Sequence, residues 1–208
     1  PATLAAAAAQ AGELDAVIVA AGVDVRKSLL AHDDADVAVQ LAINLQAPIL
    51  LTRAFAPRLR PGGVIAHLGG FGDGRLALPY YSADVASRAG LAAFCESTNR
   101  EFALEGLDVT VAYLCPAPAD TLAERPFAGL WTDMGAPPVA PAAVADFVLR
   151  AVLARKQAAV MGCSTWWIAK ANGLSAAIAD RLALRRVGRS LRRVFGDPSR
   201  ARSAVVDG

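Results

Sequence analysis

The sequence predicts an α/β fold: a three-layer sandwich in which helices cover both faces of a parallel sheet. Short runs rich in β-branched residues, Leu14–Ala20, Val64–Leu68 and Leu107–Leu114, alternate with stretches of helical periodicity. These runs are close to continuously apolar, as expected of strands buried on both faces. At 208 residues and 55% hydrophobic composition the chain can bury one good core. A single domain over residues 1–195 is expected, with 196–208 as a flexible tail.

Residues 2–12 (ATLAAAAAQAG) combine strong helix formers with a glycine stop at Gly12. Leu14–Ala20 then reads as a buried strand ending at Ala21-Gly22. Asp33, Asp34 and Asp36 precede an apolar-periodic segment, 37–59, and acids at its start suit the helix dipole. Pro48 is expected to interrupt this helix. Pro61-Gly62-Gly63 predicts a turn and Val64–Leu68 the next strand. A glycine-rich loop follows, with Gly69, Gly70, Gly72 and Gly74, then a helix from about Pro79 to Leu104. Leu107–Leu114 is the third strand, closed by Cys115-Pro116. Pro118, Pro126, Pro137 and Pro138 forbid one continuous helix over 117–140, which reads as loop. Residues 141–155 regain helical periodicity with Pro141 at the first turn. Ala158–Met161 is a short fourth strand, and 164–195 is mostly helical with a basic end.

Composition narrows the function classes. No stretch reaches the roughly eighteen unbroken apolar residues of a membrane span, because Asp15, Asn44, Gln46 and Arg53 interrupt the greasiest regions. The alanine-rich start has no basic segment ahead of an apolar one, so it does not read as a secretory signal, and cytoplasm is the expected compartment. Cys95, Cys115 and Cys163 are odd in number and set in apolar sequence, which suits reduced core thiols. With His32 and His67 the only histidines, no zinc site is expected. Eight arginines against Asp197 and Asp207 leave +6 from residue 181 onward, so the whole-chain charge of +2 leaves −4 for residues 1–180. The first residue is Pro1, from which a missing upstream portion is expected.

Five stretches, in order, resemble the short-chain dehydrogenase/reductase family. Val19-Ala20-Ala21-Gly22 resembles a strand ending in Asn-Asn-Ala-Gly, keeping only Ala-Gly. Ala42-Ile43-Asn44-Leu45 matches the family's helix asparagine. Gly63 to Gly70 (GVIAHLGG) resembles the strand ending in two serines, with Gly70 in the catalytic serine's place. Pro79 to Ala86 (PYYSADVA) resembles the Tyr-x-x-x-Lys segment, aligning Tyr81 with the tyrosine and Val85 with the lysine. Cys115 to Thr121 (CPAPADT) then resembles the Pro-Gly…Thr stretch that passes the nicotinamide. The resemblance runs from about Leu14 to Thr121 and implies a Rossmann-like fold whose first part, the phosphate-binding βαβ unit, is missing. The family's Thr-Gly-x-x-x-Gly-x-Gly loop has no counterpart here, and Gly69 to Gly74 is no substitute, since it follows a later strand with different spacing. The strand at 14–20 would then be an apolar edge, an aggregation template unless another chain covers it.

The resemblance implies NAD or NADP as cofactor and a carbonyl or secondary alcohol as substrate. It places Tyr81 and Asn44 as catalytic, with Ala20, Ala21, Gly22, Pro116 and Thr121 against the cofactor. A free tyrosine with pKa near 10 is a poor base at neutral pH, which is why a lysine normally sits one helical turn on. Val85 supplies no charge, so alcohol oxidation should suffer more than carbonyl reduction, in which a protonated tyrosine still donates. Arg88 lies on roughly the same helical face and could help Tyr81, or be a solvated or interface arginine. Tyr80 competes with Tyr81, and the placing of Ser82-Ala83 favours Tyr81. Asn44 either positions a water, as the resemblance implies, or satisfies helix carbonyls exposed by Pro48. His67 reads as a strand histidine with a local partner.

Three functions stay open: an oxidoreductase, a catalytically silent binding or scaffolding protein, and an inactive fragment. A homo-oligomer through helices 37–59 and 79–104 is expected, and no nucleic-acid partner. The alanines at 83, 86, 89 and 93 either pack another helix or face the sheet. The basic amphipathic segment 181–195 either packs its apolar stripe on the body, the favoured reading, or touches a membrane. Trp166-Trp167 is either a pocket closure, a core pair or an oligomer contact.

Overall fold

The computed structural model describes residues 2–70, 76–162 and 188–196. Four parallel strands, β1 (Leu14–Val19), β2 (Leu59–Leu68), β3 (Val109–Cys115) and β4 (Ala158–Val160), form one sheet in the order β1-β2-β3-β4. Parallel neighbours that are sequential in the chain need a crossover, and helices provide it. After α1 (Ala2–Gln10), α2 (Asp34–Leu41) and α3 (Ala47–Phe55) join β1 to β2, and α4 (Ser82–Leu104) joins β2 to β3. The connection from β3 to β4 carries α5 (Ala128–Asp133) and α6 (Pro141–Leu153). A last helix, α7, covers 188–195. The predicted class, α/β with a parallel sheet, is the observed one.

The two faces of β3 hold the layers together. Every β3 residue is buried, and successive side chains leave a strand on opposite faces. Val111, Tyr113 and Cys115 pack with Leu91, Ala92 and Cys95 of α4. Ala112 and Leu114 pack instead with Val148, Ala151 and Val152 of α6, together with Val64 and Ala66 of β2. The stripe of α4 that meets the sheet is therefore not the alanine face, where Ala86 and Ala93 are exposed. Burial pushes the Cys95 thiol up to about 12, in keeping with a reduced core thiol.

Several boundaries differ from those predicted. The 37–59 helix starts at Asp34, capped by Asp33, whose Oδ1 accepts from Asp36 N at 2.8 Å. Pro48 does not interrupt it. Residues Ala42–Gln46 form a π turn in which Ala47 N donates to Ala42 O, so Pro48 falls in the first turn of α3, where its missing N–H is not required. By length and composition Asp34–Arg58 could cross a bilayer. Its buried polar groups have protein partners instead: Gln40 Oε1 accepts from Val25 N, and Thr52 Oγ1 lies 2.8 Å from His67 Nε2.

Pro61-Gly62-Gly63 is not a separate turn but an irregularity inside β2. Leu14 pairs with Leu59 and Ala16 with Val64, and Gly62, at φ +86°, takes up part of the excess chain. The α4 helix begins at Ser82, not Pro79, because Tyr80 adopts φ +69°, a conformation a helix cannot contain. The 117–140 segment holds more structure than a loop, since α5 fits between Pro126 and Pro137. β1 lies at one edge of the sheet, with Ile18 52% exposed. Gly72, Gly74, Cys163, Trp166-Trp167, residues 181–187 and the tail from 197 lie outside the described residues.

Two buried polar side chains stabilise this frame. Asn99 of α4 acts as a short stand-in for a strand beside β3: its Nδ2 donates to Val111 O at 2.7 Å and its Oδ1 accepts from Val111 N at 2.9 Å. Asn99→Leu leaves both backbone groups unpaired and is expected to cost roughly 3 kcal/mol in denaturant unfolding, whereas an exposed neighbour such as Arg100→Ala should change little. His67, 0% exposed, has its pKa pushed down to about 4 by burial. The folded state therefore binds fewer protons than the unfolded state between about 6.5 and 4, and stability falls as pH drops through that window. His67→Gln is expected to remove part of this acid sensitivity in unfolding curves at successive pH values.

Candidate functional site

The C-terminal ends of β1, β2 and β3 open onto a cavity of about 420 Å³, at the end where open α/β sheets receive ligands. Ala20 lines it from β1, Leu68 to Gly70 from the end of β2, and Pro116 to Ala119 with Thr121 from the segment after β3. The facing wall is one side of α4: Tyr81, Asp84, Val85 and Arg88 stand at i, i+3, i+4 and i+7. Gly69 is demanded by packing, since a Cβ there would sit 2.3 Å from the Tyr113 ring. Gly70 is not. A Cβ at that position would make ordinary contact with Arg88 at 3.5–3.7 Å.

Arg88 organises the wall. It is neither solvated nor aimed at Tyr81, but 8% exposed, with Nε donating to Asp84 Oδ1 at 3.1 Å and Nη1 to Leu68 O at 3.1 Å. Nη2 reaches Asp24 Oδ1 at 3.4 Å. Gly22 makes room for this, because a Cβ there would come within 3.1 Å of Nη2. Asp84 is buried and also accepts from Asn44 Nδ2 at 3.2 Å. Burial, and then the neighbouring Asp24 charge, push the Asp84 carboxyl up to about 7.

Asn44 does not serve the helix carbonyls near Pro48. Its Oδ1 accepts from Val23 N at 2.9 Å and its Nδ2 donates to Val23 O at 2.7 Å, pinning the loop after β1 to α4 through Asp84.

Tyr81 stands at the N-cap of α4 and is 5% exposed, packed with Leu76, Leu78, Leu130, Trp131 and Leu191. Phe195 of α7 meets its ring edge-on at 5.7 Å; in the described end of the basic segment Leu191 and Phe195 pack on the body while Val194 is 41% exposed. The Tyr81 hydroxyl is buried without a hydrogen-bond partner among the described residues. Burial raises its pKa, so the phenol stays protonated. Arg26 stands over its ring, its guanidinium 5.6 Å from the Tyr81 centroid, 4.9 Å from Phe127 and 5.5 Å from Trp131. Glu124 anchors that cage, accepting from Arg26 Nη1 at 3.0 Å and from Trp131 Nε1 at 2.8 Å.

Of the predicted site residues, Tyr81, Ala20, Pro116 and Thr121 line the cavity. Gly22 borders a smaller recess beside it, and Asn44 reaches the site through Asp84. Sequence reasoning missed Asp24, Arg26, Asp84 and Glu124. A signal existed for Asp84, which is i+3 from Tyr81 and i−4 from Arg88. None existed for Glu124, 98 residues from the Arg26 it pairs with.

Fold and site together define an α/β protein of Rossmann-like architecture whose cavity lies at the strand C-termini. Residues 1–137 match the family model described as enoyl-(acyl carrier protein) reductase, and the chain belongs to the short-chain dehydrogenase/reductase family. It is similar to a short-chain dehydrogenase from Burkholderia cenocepacia J2315 solved in complex with NADP, at 25% identity and TM-score 0.73, over 88% of this chain and 74% of that one. It is also similar to BdcA in complex with NADPH, at 25% identity and TM-score 0.63, over 73% and 63% of the two chains. The angucycline C-6 ketoreductase LanV with bound NADP shares the fold at 21% identity and TM-score 0.61, over 71% and 60%. No curated protein matches the sequence.

The Arg26 cage yields a direct prediction. Arg26→Ala removes the stacked guanidinium and leaves Glu124 and Asp24 without their shared cation. A loss of roughly 2–3 kcal/mol in equilibrium unfolding is expected, with loss of the near-ultraviolet dichroism of Trp131.

Proposed function

We propose that this chain carries the substrate side of an NADP(H)-dependent reductase in which the Tyr81 hydroxyl donates to a carbonyl oxygen. The observation that carries this reading is the orphaned, buried Tyr81 hydroxyl in a residue that lines the cavity at the strand C-termini. A buried donor without a partner costs roughly 1–3 kcal/mol unless a ligand meets it. Because burial keeps the phenol protonated, it suits donation in carbonyl reduction and not proton abstraction from an alcohol.

The residues present fit the nicotinamide end of the cofactor. Ala20, Gly69 and Gly70 leave a slot with short side chains, and Pro116 to Thr121 flank it. NADP(H) in place of NAD(H) is suggested by the bound cofactor of the Burkholderia dehydrogenase, BdcA and LanV. When bound, the reduced nicotinamide supplies the hydride. The chain's own part is to orient the carbonyl, exclude water with the Leu76, Leu78 and Trp131 wall, and hold the donor.

A silent binding protein is the second reading, favoured by Gly70 and Val85 in the serine and lysine positions. Fluorescence titration with NADPH and NADH separates the possibilities: binding of NADPH is expected, and no binding of either removes the oxidoreductase. Tyr81→Phe should fold normally, since its hydroxyl has no partner among the described residues, bind NADPH unchanged, and reduce carbonyls about a hundredfold more slowly. Equal rates would take Tyr81 out of the mechanism, and NADPH binding without any turnover would favour the silent reading.

A further inference from the structure

The α4 wall carries polar groups that donation by Tyr81 leaves unused. Asp84 lies three residues after Tyr81 on the same helical face, and both line the cavity. Asp24 lines the same cavity, and one guanidinium, Arg88, reaches both carboxyls, through Nε to Asp84 Oδ1 at 3.1 Å and Nη2 to Asp24 Oδ1 at 3.4 Å. From this geometry we propose that Asp84, sharing Arg88 with Asp24, is the acid that delivers the proton to the substrate oxygen, while Tyr81 donates only a hydrogen bond to that oxygen. The proposal rests on the reductase reading above and names a catalytic residue within it.

Three considerations lead to Asp84. The first is what each donor leaves behind. Tyr81 would become a phenolate in a cage of leucines and Trp131, near the carboxylates of Asp24 and Glu124, and among the described residues the cation against it, Arg26, lies over the ring and is already bound to both acids. Asp84 would become a carboxylate that already receives Arg88 Nε at 3.1 Å and Asn44 Nδ2 at 3.2 Å. The second is charge. Among the described residues around the cavity, the acids Asp24, Asp84 and Glu124 face the cations Arg26 and Arg88. The excess negative charge is relieved when one carboxyl keeps its proton, and the most buried of the three, Asp84, is the one least able to stay ionised. Among the described residues, the other titratable side chains facing the group, Tyr81 and Tyr113, are both held protonated by burial. The third is access. Asp24, held on the same Arg88 as buried Asp84, keeps 29% of its side chain exposed and gives the returning proton a route from solvent.

The step balances. The carbonyl π bond breaks as hydride forms the new C–H bond and the Asp84 proton forms the O–H bond. The carbonyl is reduced, the nicotinamide is oxidised, and Asp84, left as a carboxylate held by Arg88, regains a proton through Asp24.

The test combines a titration with kinetics on the full chain. With carboxyl-13C aspartate, one resonance should titrate near neutrality; it should vanish in Asp84→Asn and move about one unit or more lower in Asp24→Asn, where the like charge is gone. With NADPH and benzaldehyde as the probe carbonyl, the rate should fall as pH rises through that same titration. Asp84→Asn should lower kcat by about a hundredfold or more at unchanged NADPH affinity, and Asp84→Glu should restore part of it with a shifted pH limb. Absence of any aspartate titrating above about 5.5, or an Asp84→Asn enzyme with the native rate and pH limb, overturns the proposal while leaving the reductase reading intact. Failure of the native chain to bind NADPH, or to reduce benzaldehyde once bound, overturns both, and the affinity measurement tells the two failures apart.

Discussion

Arg88 brings a cation into the interior of an α/β sandwich, and such a charge is tolerated only when its donors are met. The donors are met by Asp84 one turn back on the same helix, by the Leu68 carbonyl at the end of β2, and by Asp24 in the loop after β1. Three chain segments that are distant in sequence are thereby fixed at one point, and Asn44 adds a fourth by tying Val23 to Asp84. The cavity wall follows from this: Val85 and Tyr81 face the opening because they share a helical face with the two residues that Arg88 requires there. Gly22 is part of the same constraint, since any side chain would press on the guanidinium.

A second cation, Arg26, is held differently, stacked among Tyr81, Phe127 and Trp131 and clamped by Glu124. The cage fills the region around the tyrosine with apolar and aromatic surface, so the phenol loses the solvation an ionised form needs. Family members solve that problem with lysine; here the position is Val85, and the cation nearby meets the ring, not the hydroxyl. The consequence is a tyrosine suited to hydrogen-bond donation. The acid–base capacity of the cavity has shifted to the carboxyls of α4 and the β1 loop.

Much of the architecture is written in local pattern. Apolar runs at 64–68 and 107–114 are strands with both faces covered, the run at 14–20 is the edge strand, and Asp33 with Asp36 closes the start of α2 through a reciprocal cap. Where local rules failed, tertiary packing overrode them. Pro48 should break a helix, yet a π turn around Asn44 moves it into a first turn where its missing N–H does no harm. Pro61 to Gly63 look like a turn, yet they run within β2 because the register with β1 absorbs the extra chain.

The sequence by itself determined the fold class and carried the motif order that resembles the family, because periodicity and motif spacing are local properties of the chain. Only the tertiary structure decided what Tyr81 can do. Its environment is assembled from Arg26, Glu124, Trp131 and Phe195, which no spacing rule connects, and an ionisable group's chemistry is set by the charges and burial around it in space. The same holds for Asp84: its helical offset from Arg88 is visible in sequence, but that Arg88 also reaches Asp24 appears only once β1 and α4 are packed together.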